Sequence, residues 1–124
     1  MRDLAPDILR QRLLIEGYYG DAFAEGLDAD TVQAVLLELA AALELRSYGE
    51  PVVHAPASGE GQPGNAGYDA FLPLIDSGIS LYVWTARRFF AVVLFTCKAF
   101  DDARALDFVR ARLAVTGDLA HQSF

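Results

Sequence analysis

Apolar residues recur along this chain with two different periods, and the places where the period changes mark its elements. Gln11–Tyr19 is rich in apolar and aromatic residues and stops at Gly20, which predicts a strand. After Asp30, the residues Val32, Val35, Leu36, Leu39 and Leu43 fall at i, i+3, i+4, i+7 and i+11. That spacing lays one apolar stripe along a helix ending near Leu45. Asp30 is its expected N-cap, with Gln33 in the reciprocal position of a capping box. Pro51–His54 is a short strand candidate.

From Ala55 to Gly67 all periodicity disappears into Pro56, Ser58, Gly59, Gly61, Pro63, Gly64 and Gly67. This is the composition of a flexible loop, either a solvated connector or an active-site lid. Three strand candidates follow. Phe71–Ile75 leads into the turn-forming tripeptide Asp76-Ser77-Gly78. Ile79–Trp84 alternates Ile79, Leu81 and Val83 with Ser80, Tyr82 and Trp84. Ala86-Arg87-Arg88 makes the next turn, and Phe89–Cys97 returns. Asp101 caps a last helix with Leu106, Val109 and Leu113 inward and Arg104, Asp107 and Arg110 outward. The order β-α-β-loop-β-β-β-α predicts an α+β fold: a two-layer antiparallel sheet with two helices on one face, residues 1–124 forming a single domain. Strand Phe89–Cys97 is apolar on both sides, which a sheet covered on one face does not need. The second face is therefore expected to meet another sheet, as a homodimer.

Composition narrows the function classes. Hydrophobic residues at 53% and charged residues at 22% of 124 argue against disorder. A net charge of −7 with only ten Lys and Arg argues against a nucleic-acid partner, whereas an acidic surface suits a cationic small molecule. One cysteine forms no internal disulfide and fits a reducing compartment. The N-terminal residues lack a signal-peptide core, and the longest apolar run, Phe89 to Cys97, is far short of a membrane span, so the expectation is cytoplasmic. His54 and His121 have no carboxylate spacing that makes a metal site; both read as surface or loop residues.

One juxtaposition carries chemistry. If Ile79–Trp84 and Phe89–Cys97 form a hairpin with Trp84 opposite Phe89, the ladder brings Cys97 opposite Asp76–Ser77. A hydroxyl nucleophile on a tight turn then neighbours a thiol. The same residues also read as an ordinary turn serine and a small buried hydrophobe.

The segment Asp76-Ser77-Gly78-Ile79-Ser80-Leu81-Tyr82-Val83-Trp84, followed by Ala91-Val92-Val93-Leu94-Phe95-Thr96-Cys97, resembles the core of the bacterial S-adenosylmethionine decarboxylase family. Arg12–Tyr19 is similar to that family's first strand, including the glutamate at Glu16. The resemblance implies that Ser77 attacks the carbonyl of Asp76, that the resulting ester eliminates, and that a pyruvoyl cofactor is left at Ser77 as an electron sink for decarboxylation. It implies Cys97 as the proton donor to the carbanion, and places Trp84, Glu16 and Asp69 on the substrate side of the site. It also implies dimerisation through sheet faces. The departures from the family pattern are equally specific. Tyr82 stands where the family has the histidine of the elimination step, Asp69 where it has a processing serine, and Thr85-Ala86 where it has proline and the glutamate that grips the ribose. Arg87 and Arg88 add positive charge beside that position. Two readings result. One is a diverged, uncleaved member that binds a small molecule or regulates an active homologue as its partner. The other is an active self-processing decarboxylase of S-adenosylmethionine or another amino acid.

Overall fold

The computed structural model describes residues 1–55 and 66–124. Its elements are β1 (Gln11–Tyr18), α1 (Asp21–Glu25), α2 (Ala29–Ala42), β2 (Val52–His54), β3 (Gly67–Leu74), β4 (Ser77–Trp84), β5 (Phe89–Thr96), α3 (Asp102–Arg112) and β6 (Ala120–Ser123). The strands form one six-stranded sheet in the order β2-β3-β4-β5-β1-β6, and every pairing is antiparallel. The fold is α+β.

Strand alternation sorts the sheet into two faces. Leu13 and Ile15 of β1, Leu72 of β3, Ile79, Leu81 and Val83 of β4, and Phe90, Val92 and Leu94 of β5 form one core with the helical stripes. Val32, Val35, Leu36 and Leu39 of α2 are buried against it as the periodicity requires. On α3 the buried residues are Ala105 and Val109, continued by Leu113; Leu106, expected inward, is only partly buried at the margin. The buried stripe of α3 therefore runs through Ala105 rather than Leu106.

Three further expectations change. The cap of α2 is Asp28, not Asp30: the Thr31 N–H donates to Asp28 Oδ1 at 2.8 Å, which holds this carboxyl below the usual carboxylate range. Two elements join the expected order. α1 is too short to show a stripe, yet it buries Phe23. β6 is a polar, exposed edge strand on β1. The expected loop 55–67 lies outside the described residues at 56–65, and Gly67 opens β3, which starts four residues earlier than Phe71.

Asp101 caps α3 as expected, its Oδ1 accepting from the N–H groups of Ala103 at 2.9 Å and Arg104 at 3.3 Å. Asp101→Ala is expected to cost about 1 kcal/mol in urea unfolding, because it leaves first-turn N–H groups to water. An unchanged midpoint would show that the cap contributes nothing.

The face away from the helices carries Tyr18 at 63% exposure, Phe71 at 44% and Phe95 at 41%. No helix of the described residues is long and apolar enough to cross a membrane.

Candidate active site

The β4–β5 hairpin pairs Trp84 with Phe89, and the ladder continues to Gly78 opposite Phe95. That register carries Cys97 to the start of β4. On the other side of β4, Leu74 pairs with Ser77, so β3 and β4 are joined by the two residues Ile75 and Asp76. A connection this short needs a left-handed residue, and Asp76 supplies it at φ 53°. Aspartate tolerates that region better than most side chains.

Ser77 shares a face with Ile79 and Leu81, at the open end of the helix side. Its Oγ accepts the N–H of Cys97 at 2.8 Å. Two neighbours fix that amide. Thr96 is fully buried, and its hydroxyl donates to the Lys98 carbonyl at 2.8 Å, tightening the bend after β5. Gln11 then ties β1 to the segment, donating to the Phe100 carbonyl at 2.8 Å and accepting the Phe100 N–H at 3.0 Å. The Phe-Thr-Cys sequence thus ends a strand and seats an amide on the serine.

Asp76, Ser77 and Cys97 line a cavity of about 260 Å³ with Leu45, Arg46, Leu74, Ile75 and Lys98. The Arg46 wall is brought over by the Tyr48 N–H, which donates to the Pro73 carbonyl at 2.8 Å. Lys98 Nζ donates to the Glu44 carbonyl at 2.8 Å, at the end of α2. Arg46 and Lys98 were not singled out from the sequence. Lys98 follows Cys97 directly, so the hairpin register places it as well; Arg46 is brought in by tertiary contact alone. On the other face, Gly78 lies under the Phe71 ring, where a Cβ would come within 2.5 Å.

The remaining candidates sit elsewhere. Tyr82, Trp84, Glu16 and Asp69 occupy the open face. Register aligns His54, Asp69, Tyr82, Ala91 and Glu16 in one row across β2, β3, β4, β5 and β1. Trp84 packs tilted against Phe89 with centroids 5.3 Å apart, and Phe89 meets Tyr18 edge-on at 5.4 Å. Tyr82 is five residues along β4 from Ser77, roughly 17 Å in an extended strand, and on the opposite face. The chain therefore brings Asp76, Ser77 and Cys97 together and holds Tyr82, Trp84, Glu16 and Asp69 apart from them. Alternation alone signals this, since Ser77 and Tyr82 are an odd number of residues apart. Arg88 does not face the Ser77 cavity; it pairs with Asp21 at the far end of the hairpin. Among the described residues no group of three His, Cys, Asp or Glu side chains could hold a metal ion.

The family model for S-adenosylmethionine decarboxylase matches residues 11–120 of this chain. A search of curated proteins finds no match. Among solved structures, the adenosylmethionine decarboxylase from Aquifex aeolicus VF5 is similar with a TM-score of 0.70 and 20% identity. The alignment covers 94% of this chain and 89% of that one.

Proposed function

This chain belongs to the S-adenosylmethionine decarboxylase family, and from that premise we propose that it is a self-processing, pyruvoyl-forming member whose reactive centre is the Asp76–Ser77 peptide. The observation that carries this reading is the Ser77 hydroxyl, held by the Cys97 N–H at 2.8 Å directly after a left-handed Asp76. The turn places nucleophile and carbonyl carbon in adjacent residues, and the cavity beside them has room for a small substrate.

Maturation uses the chain's own atoms. Ser77 Oγ attacks the Asp76 carbonyl carbon, the Asp76–Ser77 C–N bond breaks, and the hydroxyl proton ends on the freed nitrogen. Transfer of the Ser77 Cα proton to solvent then breaks the Cβ–Oγ bond; Asp76 leaves as a C-terminal carboxylate, and the dehydroalanine left at residue 77 takes a proton at Cβ to become an imine. Water hydrolyses the resulting imine terminus, ammonia departs, and residue 77 becomes the pyruvoyl group. That group supplies the electron sink for loss of carbon dioxide from an amine-bearing substrate. Asp76, Ser77 and Cys97 fit its formation and keep it beside the cavity, where the Cys97 thiol is the proton donor on this reading.

Tyr82 does not serve as base within one chain, given its face and distance. The exposed apolar face suits a second copy of the chain, which would place Tyr82 and Asp69 against the partner's sheet. Loss of the ribose-gripping glutamate at Ala86 points to an amino-acid substrate other than S-adenosylmethionine. A second reading, an uncut regulator of a full-motif homologue, is favoured by Tyr82 and Asp69 in place of the processing groups. The two part on one readout. The processed chain carries a hydrazine-reactive carbonyl on the fragment beginning at residue 77, and the uncut regulator carries none and alters the rate of a co-purifying homologue.

A further inference from the structure

We propose that the main-chain N–H of Cys97 is the group that stabilises the leaving oxygen when Ser77 is converted, an inference that rests on the self-processing reading above. The β4–β5 ladder closes at Gly78 and Phe95, so the Cys97 amide lies beyond it and is directed to Ser77 Oγ at 2.8 Å. In the precursor this N–H donates to a hydroxyl oxygen. After acyl transfer the same oxygen bridges Ser77 Cβ and the Asp76 carbonyl carbon. When the Ser77 Cα proton is taken and the Cβ–Oγ bond breaks, the bonding pair goes to Oγ, which becomes one oxygen of the Asp76 carboxylate. A donor already seated on that atom gains strength as its charge grows, as at an oxyanion hole.

The surroundings favour the same event. Arg46 and Lys98 line the same cavity as Asp76, Ser77 and Cys97, so two cations border the site at which the Asp76 α-carboxylate forms. Thr96 and Gln11 hold the Cys97 segment, so the donor needs no reorganisation. An eliminating site responds to leaving-group stability as well as to base strength. The amide thus offsets part of what the chain lacks at Tyr82. Cys97 thereby has two separable roles, its thiol in turnover and its amide in maturation.

The test replaces the Thr96–Cys97 amide by an ester, using the α-hydroxy analogue of cysteine at position 97, which keeps the thiol and removes only the N–H. Time-resolved intact mass, with and without hydroxylamine, follows the chain. The expected result is formation of the pyruvoyl-terminated fragment about 100-fold slower than in the unmodified chain. A hydroxylamine-sensitive ester between residues 76 and 77 should accumulate, distinguished by fragment mass from a cut at 96/97. Formation at the unmodified rate with no such ester overturns the inference while leaving self-processing standing. An unmodified chain that yields neither fragment nor ester overturns self-processing, and the inference with it. If the ester-containing chain fails to fold, amide exchange in the near-isosteric pair Ser77→Thr and Ser77→Val decides. The Cys97 amide should exchange at least tenfold more slowly with the threonine hydroxyl present, and equal rates overturn the inference.

Discussion

On the self-processing reading, Ser77→Ala is expected to abolish chain cleavage entirely, leaving one full-length species where the unaltered chain should give fragments 1–76 and 77–124. The expectation follows from chemistry, since alanine offers no oxygen to receive the Asp76 acyl group and none to leave from Cβ. The fold should survive. Ser77 is partly exposed at a strand end, and among the described residues the one hydrogen bond of its side chain is to the Cys97 N–H. Losing such a bond costs about 1 kcal/mol. The contrast is therefore between complete loss of processing and a thermal midpoint moved by only a few degrees. Intact mass and a melting curve on the same sample measure both. A Ser77→Ala chain still cut at 76/77 would show that another group performs the attack.

Phe90→Ala is expected to remove about 3–5 kcal/mol of folding stability, the usual cost of deleting a buried aromatic ring. Phe90 is 0% exposed in the middle of the sheet, and its ring fills the space above Gly17 on the paired strand, where a Cβ would lie 3.2 Å from Phe90 Cζ. Gly17 offers no side chain to fill the gap, which leaves Leu119, whose Cδ1 would lie 3.1 Å from a Cβ at Gly17, as the neighbour beside it. Against a typical domain stability of about 5–15 kcal/mol, the loss should lower the thermal midpoint by roughly 10–20 °C. A calorimetric shift below about 1 kcal/mol would mean that the core repacks around the hole.

The parts of this fold that were legible from sequence are those where one local signal dominates. The stripe from Val32 to Leu39 can be satisfied only by a helix with one buried side. The register of β4 on β5 follows from the short turn between Trp84 and Phe89, because each ladder step then constrains the next. The misplaced cap arose where Asp28 and Asp30 both precede the stripe, and only the Thr31 hydrogen bond chooses between them. β6 was illegible for a physical reason: an exposed edge strand such as Ala120–Ser123 needs no apolar alternation, and only its pairing with β1 defines it.

The site divides in the same way. Asp76, Ser77 and Cys97 come together through a turn and a hairpin, both of which are local in sequence. Tyr82 reads as their neighbour when the chain is viewed as a string, and strand alternation separates it. Arg46 was invisible because the contact that brings it, Tyr48 to Pro73, joins the segment after α2 to β3. The resemblance singles out Ser77 from the sequence; the three-dimensional arrangement adds that the Cys97 N–H rests on its Oγ.

Intact-mass analysis of the freshly purified, unaltered chain, followed by hydrazine labelling, tests the central claim most directly. Two fragments meeting at Asp76/Ser77, with a reactive carbonyl on the 77–124 fragment, are what a self-processing, pyruvoyl-forming protein must give. A single 13.5 kDa species that persists on incubation and takes up no hydrazine would contradict it.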